Sequence, residues 1–338
     1  MILITGATGL LGSYLTRLLI SKGEKVRAIK RDASDFSLLG ETAREVEWVE
    51  GDILDIPSLE AAMKGVQKVY HCAAHISLIP SENEYMMAVN IEGTANVMNA
   101  ALYSGVKRML HVSSIAAFGT APSGKIIDEN YADPNIGKSF FYYRSKQYGE
   151  REAWRASAEG LEVVIACPST ILGAGWWDEE PVSLFRDVYN GLKFYVSSTI
   201  GFVDVRDVAN SLYRLMESGI HGEKFIVSSE NLSFRDVIWH IADSLGVKRP
   251  STEAGKWLLA LAWRTELVKS FFTDSRPLLT RESAKISLES FLFSNEKITA
   301  IPGCRFRPVK ETIADTARIF LESTKTGKNY GIFPSPHS

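Results

Sequence analysis

Hydrophobic positions in the first 170 residues switch between two periods. Short β-rich runs occur at Ile2–Thr5, Lys25–Ile29, Val46–Val49, Lys68–His71, Arg108–Val112 and Glu162–Ala166. Between them the spacing turns helical, for example over Leu10–Ser21, Ser58–Lys64, Glu84–Tyr103 and Phe140–Ala158. Strands that alternate with helices predict βαβ crossovers and a parallel sheet covered on both faces. Several runs are near-continuously apolar, as a doubly covered parallel sheet requires.

After Pro168 the regularity fails. A Gly/Trp/acidic loop at Leu172–Glu180 leads to a helix near Val182–Asn190. A short strand near Phe202–Val203 precedes a helix at Arg206–Glu217, and Lys224–Val227 is placed to return to the sheet. Residues 233–323 are mostly helical, with a join at Arg249–Thr252 and an irregular stretch near Thr273–Leu279. The expected organisation is a dinucleotide-binding domain over 1–170 with returns near 202–228, and a smaller lobe from 171–201 and 229–323. The tail, 324–338, is polar, and its composition predicts disorder; docking on its own chain or on a neighbour is the alternative.

Composition narrows the function classes. The chain has 338 residues, 45% hydrophobic and 23% charged, which excludes a disordered or fibrous protein. Its 38 basic residues balance 40 acidic ones without a block of like charge. No nucleic-acid surface and no polybasic membrane anchor is expected. Cys72, Cys167 and Cys304 stand far apart, so neither a metal site nor a disulfide framework is expected, and the default compartment is reducing and cytoplasmic. Residues 1–20 lack the charged start of a signal peptide, and no apolar stretch is long enough for a spanning helix.

Candidate chemistry begins after the first strand. Gly6, Thr8, Gly9, Leu10, Leu11 and Gly12 lie in the segment TGATGLLG, between that strand and the first helix. Glycines there allow a tight turn and bring backbone N–H groups and a helix N-terminus to a pyrophosphate. The spacing is GxxGxxG, one step from the familiar GxGxxG. The expected fold class is thus α/β, a Rossmann-type doubly wound parallel sheet with a smaller, mostly helical substrate lobe. The second strand ends in Lys30 and Arg31, where an acid would serve NAD. Two cations suit a 2′-phosphate, so NADP(H) is favoured. Asp32 and Asp35 follow, which leaves NAD(H) open. Asp52 is placed to accept from the adenine amino group, with Ile53 packing the ring.

Tyr142 and Lys146 are four residues apart and share one helix face. A nearby ammonium lowers a tyrosine pKa and suits it to pass a proton to or from an alcohol oxygen. Ser113 and Ser114 follow the fifth strand, at the edge where open α/β sheets bind ligands. A serine there would hold the substrate oxygen.

At these residues the chain resembles the extended short-chain dehydrogenase/reductases, the NAD-dependent epimerase/dehydratase family. The matching pieces are TGATGLLG, GDILD, VYHCAA, NIEGTANV, HVSSIAAFG, YYRSK, CPSTILGAG and FVDVRDVA, in order over about two-thirds of the chain. The resemblance implies Tyr142 as acid–base and Lys146 as the residue that lowers its pKa and holds the nicotinamide ribose. It implies Ser114 as the polarising serine, with Ser113 beside the nicotinamide. Ala73 and Ala74 would pass the adenosine and pyrophosphate, Asn90 lies on the fourth-helix motif, and Pro168, Ser169 and Ile171 would pack near the carboxamide. It also implies a homodimer through the helices at Glu84–Tyr103 and Phe140–Ala158.

Sugar dehydratases of this family carry Asp-Glu after the serine, where this chain has Ile115-Ala116. Nucleotide-sugar epimerases hold a diphosphate where this chain has Trp176-Trp177-Asp178-Glu179-Glu180. The VRAIKR segment is similar to the dihydroflavonol reductase, cinnamoyl-CoA reductase and hydroxysteroid dehydrogenase branch. The expected function is reduction of a carbonyl, or the reverse, on a small, fairly apolar substrate. The alternatives are a nucleotide-sugar epimerase with tightly bound NAD and a non-catalytic dinucleotide sensor. Phe118, Phe140, Trp176, Trp177 and Phe202 are candidate pocket walls. His71 and His111 are expected as satisfied core residues, with His75 nearer the ligand edge. Trp257, Trp263 and Leu258–Leu261 form an apolar face suited to lobe core, dimer contact or membrane apposition, in that order.

Overall fold

The computed structural model describes residues 1–122, 124–273 and 280–334. The chain starts β1 (Ile2–Thr5), α1 (Leu10–Ser21), β2 (Val26–Lys30), β3 (Glu47–Glu50), α2 (Ile56–Met63), β4 (Lys68–His71), α3 (Asn83–Met87) and α4 (Thr94–Tyr103). It continues β5 (Arg108–Val112), β6 (Ile126–Ile127), α5 (Phe141–Ala158), β7 (Glu162–Pro168), β8 (Thr170–Leu172), α6 (Ser183–Tyr189), β9 (Phe194–Tyr195), β10 (Thr199–Asp204) and α7 (Val205–Glu217). It ends β11 (Glu223–Val227), β12 (Glu230–Ser233), α8 (Phe234–Leu245), β13 (Thr252–Glu253), α9 (Lys256–Thr273), α10 (Arg281–Ile286), β14 (Leu292–Phe293), α11 (Glu296–Thr299) and α12 (Val309–Thr326).

Seven strands form one parallel sheet in the order β11-β7-β5-β4-β1-β2-β3. Their side chains alternate between two cores. Ile2, Ile4, Tyr70, Val164 and Ala166 enter one with α1, α7, α8 and α12, while Leu3, Val69, Val163, Ile165 and Cys167 enter the other with α2, α4 and α5. Both faces are covered, which is why these strands read as continuous apolar runs. β11 joins the sheet beside β7 as expected. The strand around Phe202–Val203 does not; it is part of β10, in a separate sheet with β8 and β12.

Other expectations shift. The helix expected over Glu84–Tyr103 is broken by a π-helical segment at Ala88–Gly93 that carries Asn90. The irregular stretch expected near Thr273–Leu279 lies, from residue 274 on, outside the described residues. In α9, Leu259 packs with Ala254 and Ala284, and Leu258 and Trp263 lie against them, while Trp257 is 78% exposed. The tail is docked up to Phe333. Trp177 N donates to Asn329 O, Gly331 N donates to Gly175 O, and Phe333 is buried at 1% exposure. No helix among the described residues is long and apolar enough to cross a membrane.

Candidate active site

The glycine turn joins β1 to α1 at the C-terminal edge of the sheet. Gly6 has φ +73°, and a Cβ there would lie 2.6 Å from Ala73 N. A Cβ on Gly12 would lie 1.9 Å from Gly6 O. The first glycine is needed for a left-handed backbone, the last for contact between turn and helix. Gly9 is exposed, and among the described residues only Gly6 O lies near its missing Cβ, at 3.6 Å. It caps α1 without any side-chain hydrogen bond, so the positive end of the helix is presented outward, flanked by partly exposed Thr8, Leu10 and Leu11. Ala73 and Ala74 pass the turn from β4. This cradle, which side chains would fill, fits a dinucleotide pyrophosphate.

At the end of β2, Lys30 is half-buried and Arg31 exposed. Arg31 Nη1 donates to the Tyr85 hydroxyl at 3.2 Å. Glu50, paired with Lys30 across β2 and β3, has its carboxyl raised by a hydrogen bond with Asp32. Asp52 Oδ1 accepts from Leu54 N at 2.9 Å. The Ile53 side chain is buried among α2 and α4 residues, in the room left by Gly93.

Ser114, Tyr142 and Lys146 converge at the end of β5. Ser114 Oγ accepts from Ala116 N at 3.1 Å and from the Tyr142 hydroxyl at 3.5 Å. Its own O–H is left for another acceptor. Lys146 is buried, and its Nζ donates to Val112 O at 3.5 Å. Burial lowers its amine to about 8. The expected depression of Tyr142 is not found; burial raises its phenol, and the Ser114 hydrogen bond offsets part of that rise. Desolvation disfavours the anion more than the Ser114 hydrogen bond stabilises it.

Neighbouring serines diverge. Ser113 Oγ donates to buried Glu150 Oε2 at 3.1 Å, so its hydroxyl is engaged in the interior. Glu150 also accepts from Lys224 Nζ at 3.1 Å and Trp154 Nε1 at 3.2 Å. Glu150 stands four residues after Lys146 on the same helix face, and that spacing is its signal in the sequence. Asn90 spends its amide on the protein: Nδ2 donates to His75 O and Ser145 Oγ, and Oδ1 accepts from His75 N. It braces the loop after β4 and contacts α5, and all three of those bonds go to protein groups. Pro168 and Ser169 are buried at the end of β7, Ile171 half-buried in β8, and Ser169 Oγ has no partner among the described residues.

His71 is satisfied, with Thr5 Oγ1 at 2.7 Å from Nδ1 and Thr94 Oγ1 at 3.0 Å from Nε2. His111, expected to be satisfied, has both nitrogens buried without a hydrogen-bond partner among the described residues, its ring stacked on His71 with centroids 5.3 Å apart. Burial keeps it neutral. His75 Nε2 lies 3.0 Å from Glu82 Oε2. Phe118, Trp177 and Phe202 are core residues at 2% exposure or less, which leaves Phe140 and Trp176 as candidate walls.

Comparisons with known proteins give the family and the fold. The family model described as "NAD dependent epimerase/dehydratase family" matches residues 2–228. A putative dihydroflavonol 4-reductase of Synechocystis is 31% identical over 94% of this chain and 93% of its own length. Cinnamoyl-CoA reductase 1 of Petunia hybrida is 26% identical over 94% and 91%. The crystal structure of gox2253 superimposes with a TM-score of 0.82 at 31% identity, covering 97% of this chain and 99% of that one. The chain belongs to the NAD-dependent epimerase/dehydratase family of NAD(P)-dependent oxidoreductases.

Proposed function

We propose that this enzyme is an NADP(H)-preferring oxidoreductase that interconverts a carbonyl and a secondary alcohol on a small, fairly apolar substrate. The observation that carries this is the Ser114–Tyr142 pair at 3.5 Å, with Lys146 on the same helix face. In reduction, the Ser114 O–H donates to the carbonyl oxygen and Tyr142 passes its proton to that oxygen as charge builds there. Lys146 stabilises the phenolate left behind. A bound nicotinamide supplies the hydride. In oxidation Tyr142 takes the proton back.

Three further observations support a reductase. The two relatives named above are named as reductases. Ile115 and Ala116 after Ser114 are buried and apolar, and offer no acid–base pair for elimination. The loop after β8 ends in Asp178, Glu179 and Glu180, which repel a sugar diphosphate. Lys30 and Arg31 support NADP(H). The substrate would lie between the sheet edge and the lobe of residues 171–201 and 229–323. Free thiols at all three cysteines suit a cytoplasmic enzyme, and sedimentation equilibrium tests the homodimer that the family reading carries.

The experiment is an NADPH-absorbance screen over aldehydes and ketones, followed by Tyr142→Phe on any substrate found. The variant should lose about 10²–10⁴-fold in kcat. Wild-type turnover by Tyr142→Phe would overturn the assignment. Tightly co-purifying NAD with sugar-nucleotide binding would favour an epimerase instead.

A further inference from the structure

The Thr5 hydroxyl accepts from Ala73 N at 3.3 Å and lies 2.7 Å from His71 Nδ1. On the other side of the ring, Nε2 lies 3.0 Å from Thr94 Oγ1. Thr94 donates its single proton to the Asn90 carbonyl at 2.8 Å, so it must accept from His71 Nε2–H. A neutral imidazole carries one N–H, hence Nδ1 accepts from the Thr5 hydroxyl. The direction continues through Asn90: its Nδ2 donates to Ser145 Oγ at 2.9 Å, and Ser145 donates to the Tyr142 carbonyl at 2.8 Å. Every donor points the same way, from the dinucleotide turn to the backbone of Tyr142. His71, Thr94, Asn90 and Ser145 are all buried at 3% exposure or less. The π-helical segment and Gly149 make this path: a Cβ on Gly149 would lie 2.4 Å from Asn90 O. Burial holds the imidazole neutral, near 3, so the donor pattern persists across physiological pH.

We propose that His71 is a positioning residue that holds the helical turn bearing Tyr142 in register with the dinucleotide turn at Thr5. This rests on the reading of Tyr142 as the acid–base. The two ring nitrogens do separate jobs, which half-isosteres separate. His71→Asn puts an acceptor near Nδ1 and keeps the Thr5 link but loses the donor to Thr94. His71→Gln puts an amide N–H near Nε2 and keeps the Thr94 link but loses the acceptor for Thr5.

NADPH affinity is measured on the full chain by fluorescence titration, and kcat on a carbonyl substrate from the screen. His71→Asn should bind NADPH within about twofold of wild type and lose about tenfold or more in kcat. His71→Gln should keep kcat within about threefold and bind NADPH about fivefold more weakly. Thr94→Val should reproduce His71→Asn, and Thr94→Ser should restore turnover. Parallel loss of both quantities in both His71 variants, or no change in either, overturns the proposal. If the His71 variants fail to fold, the Thr94 pair decides: unchanged kcat in Thr94→Val overturns it. If the wild type reduces no carbonyl, the functional reading fails, and the affinity contrast between the two His71 variants still tests the turn-side link.

Discussion

Lys146 stands one helical turn after Tyr142 on α5, yet its amine donates to the Val112 carbonyl at 3.5 Å while the phenol donates to Ser114. Burial lowers the amine from 10.5 to about 8. Its charge therefore opposes folding at neutral pH. Between pH 8 and the ordinary lysine value the unfolded chain binds the extra proton, so stability rises with pH in that window. Relative to Lys146→Met, the wild type should gain about 2 kcal/mol between pH 7.5 and 9.5. Urea midpoints of both proteins at the two pH values measure this, and parallel shifts would return Lys146 to an ordinary value.

The glycine turn separates two kinds of requirement. A Cβ at Gly12 meets the Gly6 carbonyl at 1.9 Å, a backbone atom that cannot move aside. Gly12→Ala should cost about 1–3 kcal/mol of stability and lose measurable dinucleotide binding. At Gly9 a Cβ meets, among the described residues, only Gly6 O at 3.6 Å. Gly9→Ala should therefore melt close to wild type and still bind NADPH at least tenfold more weakly, by about 1.4 kcal/mol, because the added methyl faces the ligand. Calorimetric melting and titration of both variants distinguish a fold defect from a ligand defect.

Much of this site is legible in the sequence, and the gaps have physical causes. Ile2–Thr5, Lys68–His71 and Arg108–Val112 coincide with the strands that the apolar pattern predicts, because both faces of each are buried. The break at Ala88–Gly93 is invisible to that pattern, since one extra residue in a turn leaves most apolar spacings in place. Adjacent serines in the extended backbone that follows a strand face opposite ways, but the period does not say which way. Hence Ser114 is found at the site and Ser113 on Glu150. Trp177 and Phe202 look like pocket walls by chemistry, and only tertiary packing sends them into the core.

Phe333 is the tail residue that composition hides. Its ring lies under Arg206 at 3.8 Å and edge-on to Tyr14, while its backbone N–H donates to the Tyr14 hydroxyl at 3.0 Å. Tyr14 in turn donates to Ala174 O at 2.9 Å, in the loop whose Gly175 abuts Leu10 of the glycine turn. Phe333→Ala should cost about 3–5 kcal/mol. A lowered melting temperature with weaker NADPH binding is expected. An unchanged melting temperature would mean the tail is not docked in solution.

Arg31 is the residue whose substitution tests the proposed coenzyme preference. It is exposed, and Tyr85 accepts from its guanidinium at 3.2 Å, which keeps the fork near the end of β2 without spending all its donors. A 2′-phosphate placed there would take a charge-assisted, bidentate contact that the 2′-hydroxyl of NADH cannot replace. Arg31→Ala should weaken NADPH about tenfold or more, roughly 1.4–3 kcal/mol, and leave NADH within about twofold. Tyr85→Phe should weaken NADPH by less, because it loosens the guanidinium without removing it. Titration of both coenzymes against the three proteins measures the selectivity ratio. Equal affinity of the wild type for NADH and NADPH, unchanged by Arg31→Ala, would transfer the adenosine ribose contact to Asp32 or Asp35 and make NAD(H) the coenzyme.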